Sequence, residues 1–97
     1  MNAPDRAQAQ QPLRTVTVRY FAAIREALGT GSERLTTPAA TLSALRDELI
    51  ARGGAHAETL ARGKAVRMAL DQLMVSDEAA PLPDGAEVAF FPPVTGG

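Results

Sequence analysis

Between Arg14 and Phe21 apolar and polar residues alternate along the chain. Val16, Val18 and Tyr20 fall on one face, and Thr15, Thr17, Arg19 and Phe21 on the other. A period of two marks a half-buried strand with the valines and tyrosine inward. The period then changes. Ile24 and Leu28 are four apart and share one face of a short helix over 22–28, with Gly29 placed to end it. Residues 32–37 form a second predicted strand, stopped by Pro38, which has no N–H to give a ladder.

The strongest helical pattern comes next. Thr41 is an N-cap residue type, and Leu42, Leu45, Leu49 and Ile50 recur at i, i+3, i+7 and i+8. That stripe is predicted to face a sheet, leaving Arg46, Asp47, Glu48 and Arg52 in water. Gly53-Gly54 ends the helix, and residues 57–62 add one further helical turn. Val66, Met68 and Leu70 alternate along a third strand, and Leu73 to Val75 form a short return strand. A loop through Pro81, Pro83, Asp84 and Gly85 leads to the final strand, Glu87 to Phe91. This order predicts an α+β domain, a mixed sheet of about five strands with one main helix packed across it. The first and last strands are both apolar enough to be central. A ubiquitin-like β-grasp sets those two side by side and parallel.

Ninety-seven residues bound the chain to one domain with a single core. The expected organisation is a disordered polar leader over 1–12, the folded domain over 13–91 and a flexible tail over 92–97. The leader has no apolar stretch of the secretory kind, and no run approaches a membrane span, so a cytoplasmic location and no membrane partner are expected. A net charge of −1 argues against nucleic acid, whose binding needs a basic face. Cysteine is absent, which excludes disulfides, thiolate nucleophiles and sulfur-built zinc sites. His56 is read as a surface-loop histidine, and Asp77, Glu78 and Asp84 as turn residues. The body of the chain therefore offers no catalytic constellation and no metal site.

There remains the end of the chain, Pro92-Pro93-Val94-Thr95-Gly96-Gly97. The prolines stop the sheet ladder and stiffen the start of this segment. At about 3.3 Å per residue these six residues reach about 20 Å. The final pair has no side chains, so this slender arm suits a narrow channel in another protein, with a carboxylate at its tip.

The chain resembles the small subunit of molybdopterin synthase, the ubiquitin-like sulfur carrier of molybdenum cofactor biosynthesis. The residues that carry the resemblance are Tyr20-Phe21-Ala22, Arg25-Glu26 and Gly29-Thr30, and above all the run from Leu82-Pro83-Asp84-Gly85 through Phe90-Phe91-Pro92-Pro93-Val94-Thr95-Gly96-Gly97. It covers nearly everything after Pro12; the leader departs from the family pattern. The resemblance implies a sulfur-carrying subunit that is not itself an enzyme and binds no cofactor. An E1-like adenylyltransferase spends ATP to place a transient AMP adduct on Gly97. The adduct becomes a thiocarboxylate, which donates sulfur to cyclic pyranopterin monophosphate (precursor Z) on the large catalytic subunit. It also implies a heterotetramer of two large and two small subunits. A thiamine-pathway sulfur carrier and a ubiquitin-like protein modifier share the terminal Gly96-Gly97 and the activation step, and stand as alternatives.

Two further expectations concern docking. By parity Phe21 and Phe91 point away from the inward sets of their strands, so they either form an exposed cluster or cap an edge of the core. The resemblance favours the exposed cluster, with Met74 as a third apolar position and Pro92, Pro93, Val94 and Thr95 as the partner-contacting approach to Gly96 and Gly97. Aromatic residues and Met are the types that interfaces favour. A plain spacer is the competing reading for Val94-Thr95.

Overall fold

A computed structural model describes residues 12–93 of the chain. In order it contains β1 (Arg14–Tyr20), α1 (Ala22–Leu28), β2 (Ser32–Thr37), α2 (Leu42–Ile50), α3 (Gly54–Leu60), β3 (Arg67–Leu70), β4 (Leu73–Val75) and β5 (Glu87–Phe91). The leader up to Gln11 and the tail residues Val94, Thr95, Gly96 and Gly97 lie outside the described residues.

The five strands make one sheet in the order β2-β1-β5-β3-β4. β1 and β5 run parallel, with Val18 beside Val88 and Tyr20 beside Phe90, and the other three pairs are antiparallel. The first and last strands are thus neighbours inside the sheet, as expected for a ubiquitin-like β-grasp. Val16, Val18, Tyr20, Val88, Phe90 and Met68 point to one face and are buried there against Leu42, Leu45 and Leu49 of α2, Ile24 of α1 and Leu60 of α3. Tyr20 and Phe90 stack with ring centroids 6.1 Å apart. Burying one such ring stabilises by roughly 2–3 kcal/mol, so this pair anchors the parallel join.

Local chemistry sets the ends of these elements. The Thr41 hydroxyl accepts from the Ala44 N–H at 3.1 Å, satisfying a donor that the first turn of α2 leaves free. Gly29 ends α1 at φ 77°, a left-handed conformation that a Cβ would oppose. Between β3 and β4 the turn consists of Asp71 (φ 51°) and Gln72 (φ 72°), the pair of positive φ values that a type I′ hairpin requires. Asp71 also ties the hairpin to β5: its N–H donates to the Glu87 carbonyl at 2.8 Å, and its Oδ1 accepts from the Glu87 N–H at 2.9 Å.

Five expectations are corrected. β1 ends at Tyr20, and Phe21 is the N-cap of α1 rather than the last residue of the strand. α3 begins at Gly54 and is nearly two turns long, in place of the single turn expected over 57–62. Arg46 does not face water. It is 4% exposed, donating from Nε to the Leu60 carbonyl and from Nη2 to the Ala61 carbonyl, both at 2.8 Å, and from Nη1 to Glu78 at 2.7 Å. Glu78 is accordingly more than a turn residue: it pairs with Arg46 and Arg62, and its carbonyl accepts from the Ser43 N–H at 2.7 Å. The helical period of α2 is blind to these segments because they come from 14 to 32 residues later in the chain.

His56 is the fifth correction. It lies in α3, half-buried, with its ring edge-on to Tyr20 at 6.2 Å. Glu33 sits between them: it accepts from the Tyr20 hydroxyl at 2.7 Å and from Arg52 at 3.0 Å, and its Oε2 lies 3.9 Å from His56 Nε2. Burial alone would raise the Glu33 carboxyl, but the hydrogen bonds from Tyr20 and Arg52, helped by the nearby Arg52 and His56 charges, hold it below its ordinary value. Burial, and then the hydrogen bond to Glu33 and that residue's charge, push the Tyr20 phenol well above its own.

Candidate partner-docking site

All three helices contribute buried residues to one face of the sheet. On the other face β1 presents Thr15, Thr17 and Arg19, β5 presents Glu87, Ala89 and Phe91, β3 presents Arg67 and Ala69, and β4 presents Met74, as the strand registers require. No helix among the described residues covers it. The face divides in two. Its apolar half lies toward the carboxyl end of β5, around Phe91. Its polar half lies toward Glu87 and Thr17, where a shallow depression of about 510 Å³ opens beside Arg19, Ser32 and Asp71.

Phe21 reaches the apolar half because the backbone holds it there. Its N–H donates to the Phe90 carbonyl at 3.1 Å, extending the parallel ladder by one bond, while its own carbonyl accepts from Ile24 at 3.1 Å to open α1. The ring, 38% exposed, meets that of Phe91 edge to face with centroids 6.4 Å apart. The Arg19 guanidinium lies 5.3 Å from the Phe21 centroid and also pairs with Glu87 at 3.2 Å. Met74 is 59% exposed and stands opposite Ala69, on the far side of the same apolar half. Phe21, Phe91 and Met74 therefore share one surface, and the reading that has Phe21 and Phe91 capping a core edge is not borne out by the structure. Pro92 and Pro93 continue from Phe91, half-buried. Val94, Thr95, Gly96 and Gly97 lie outside the described residues.

Two members of this surface escaped the sequence pattern. Ala69 and Ala89 stand side by side between β3 and β5. Their only signal was position: each alternates with core residues, and small size hid their part in a surface. Leu73, 72% exposed at the β3–β4 hairpin, is not on this surface: it stands opposite Leu70 and so points to the other side of the sheet from Met74. A second depression, about 890 Å³ beside Arg14, Pro38 and Asp47, contains none of the predicted site residues. Among the described residues no cluster of His, Cys, Asp or Glu is arranged to hold a metal. No helix among them is long and apolar enough to cross a membrane.

Comparison with known proteins bears on the partner that such a surface meets. Residues 18–97 match the model of the ThiS family. The chain is 43% identical, over 84% of its length and 99% of the relative's, to the molybdopterin synthase sulfur carrier subunit of Escherichia coli K12. It is 39% identical to the carrier subunit of Haemophilus influenzae over the same shares. Among solved structures, it superposes with a TM-score of 0.59 and 30% identity on a chain of the Helicobacter pylori complex of subunits 1 and 2 of molybdopterin-converting factor, covering 86% of this chain and 99% of that one.

Proposed function

This chain belongs to the ThiS family, among the molybdopterin synthase sulfur carrier subunits, and on that footing we propose that its working group is the carboxyl of Gly97. An E1-like adenylyltransferase joins that carboxylate to the AMP of ATP, releasing pyrophosphate. Hydrosulfide then attacks the acyl carbonyl and displaces AMP, leaving a thiocarboxylate; a persulfide donor would first give an acyl disulfide, which a second thiol must reduce. The large subunit of molybdopterin synthase uses two such carriers to install the dithiolene sulfurs of molybdopterin on cyclic pyranopterin monophosphate. The carrier is a sulfur-donor subunit in this scheme, with the catalytic groups on the large subunit and two copies of each in the assembly.

The observation that carries this reading is the family match extending to Gly97 itself. Physical needs agree with it. A carboxylate is a poor electrophile and requires a leaving group. Aligning its carbonyl at a buried site leaves little tolerance, since about 1 Å of misplacement costs about 100-fold. Gly96 and Gly97 admit the backbone where a Cβ would narrow the channel. Pro92 and Pro93 reduce the freedom lost when the arm docks. The uncovered face with Phe21, Phe91 and Met74 starts where the arm starts, so one partner can hold both, and Val94 and Thr95 fill the channel mouth. The thiamine-pathway alternative shares the fold and the activation step, but the Escherichia coli and Haemophilus influenzae relatives are both molybdopterin carriers.

Intact mass after incubation with ATP, the activating enzyme and a sulfur donor tests the proposal. A gain of about 16 Da, one oxygen replaced by sulfur, is expected, and no gain is expected from a chain extended by one residue past Gly97. Sulfur delivery by the extended chain sinks the reading.

A further inference from the structure

We infer that Ala22 is a positioning residue for partner docking: its left-handed backbone holds the Phe21 ring on the open face of the sheet while α1 returns to the core. The inference rests on the docking reading proposed above and adds the device that presents one of its residues.

Three non-glycine residues among those described have positive φ: Ala22 at 53°, Asp71 at 51° and Gln72 at 72°. Asp71 and Gln72 make the β3–β4 hairpin, whose turn type demands such values. Ala22 belongs to no hairpin. It opens α1, where a helix ordinarily begins at negative φ, and it has no polar side chain to offset the conformation. Backbone held in a disfavoured region without a local reason points to a constraint imposed from elsewhere.

That constraint lies in what the chain does over five residues. Tyr20 is buried in the core, Phe21 faces the docking side, and Ile24 is back in the core. Phe21 is pinned at both ends of its own backbone. Its N–H donates to the Phe90 carbonyl at 3.1 Å, and its carbonyl accepts from the N–H groups of Ile24 at 3.1 Å and Arg25 at 3.3 Å. Phe21 itself is extended (φ −128°, ψ 155°), so the turn from ladder to helix falls on Ala22. A negative φ at Ala22 swings α1 against β1. Ile24 is anchored by burial, whereas Phe21 is held by its ladder bond and its ring contacts with Phe91 and Arg19. The exposed ring is therefore the part that gives way.

Ala22→Pro isolates this angle. The Ala22 side chain is exposed, and its N–H enters no hydrogen bond among the described residues. Proline suits the first position of a helix that follows an extended residue, so a φ of about −65° is what the change imposes.

The test titrates the full chain calorimetrically with purified molybdopterin synthase large subunit. Ala22→Pro should weaken binding by at least about tenfold. It should also remove the nuclear Overhauser contact between the Phe21 and Phe91 rings, while the Tyr20–Phe90 contact, which reports an intact core, persists. Ala22→Gly takes positive φ freely, so it should bind as the parent does and melt no lower. Where the proline variant loses the Tyr20–Phe90 contact and with it the fold, Ala22→Val takes its place. Its β-branched side chain resists positive φ and should weaken both binding and the Phe21–Phe91 contact. Parent-like binding, or an unchanged Phe21–Phe91 contact, in the folded proline or valine variant overturns the inference. So does weakened binding by Ala22→Gly. Phe21→Ala separates the two layers of the argument. If it weakens binding about tenfold and the folded Ala22→Pro does not, the docking face stands and the role of Ala22 is overturned. If Phe21→Ala binds as the parent does, the docking reading fails at Phe21 and takes this inference with it.

Discussion

Phe21 and Phe91 meet edge to face, 6.4 Å between ring centroids, on the side of the sheet away from the core. Each is next in sequence to an aromatic residue that faces the other way: Tyr20 and Phe90 stack within the core at 6.1 Å. Two adjacent aromatic pairs thus serve opposite sides of the β1–β5 join. The inner pair holds the first and last strands together, and the outer pair lies where the partner is proposed to dock.

Substitution separates these roles. Phe90→Asp should prevent folding, because it buries a charge where the ring is fully enclosed, and even Phe90→Ala should cost about 3–5 kcal/mol. Phe91→Asp should leave the melting temperature nearly unchanged and abolish binding to the large subunit. Thermal melts and calorimetric titration of the two variants decide it.

Arg46 holds α2 to the end of α3 and to the segment before β5 through Leu60, Ala61 and Glu78. Arg46→Ala removes the donor to the buried Leu60 carbonyl and one of two donors each to the Ala61 carbonyl and the Glu78 carboxylate, and should destabilise by about 3 kcal/mol in urea unfolding. Arg46→Lys keeps the charge but not the planar fork, and should recover only part of that loss.

The Tyr20–Glu33 hydrogen bond predicts two pH limbs. The Glu33 carboxyl is lowered from 4.5 in the folded state, so its contribution is complete above that value and fades as pH falls through the lower folded one. The Tyr20 phenol is raised, so its contribution is complete below 10.0, its ordinary value, and fades as pH rises beyond it. Glu33→Gln should flatten the acid limb of a plot of urea midpoint against pH. Tyr20→Phe should flatten the alkaline one.

Gln72 occupies a left-handed position (φ 72°) that a glycine would adopt without strain. Gln72→Gly creates the Asp-Gly pair that type I′ hairpins favour and should stabilise by about 1 kcal/mol. Gly29→Ala is the converse. Its φ of 77° opposes a Cβ although nothing lies within 4 Å of it, so strain alone should cost about 1 kcal/mol. Denaturant midpoints of the two single variants check both signs.

Most of the architecture was readable from periodicity. The alternation in β1, the stripe of Leu42, Leu45 and Leu49, and the bounds of β2, β4 and β5 agree with the structure. The failures share a cause. Arg46 looked like a solvent-facing helix residue and His56 like a loop residue, because their partners lie on other elements. Glu78 and Glu33 have the same history: pattern located them correctly, and their bonding came from residues 13 to 32 positions away.

Residue order alone therefore settled most of the apolar core of β1, α2 and β5 and the bounds of β2, β4 and β5. These outcomes come from side-chain alternation and backbone freedom, which act over one to four residues. Only the folded chain decided that Ala69, Ala89, Met74, Phe21 and Phe91 share a surface, and that a buried arginine binds three segments together. Both results depend on strand register and on which elements pack side by side, and these are set by long-range burial rather than by neighbours in sequence.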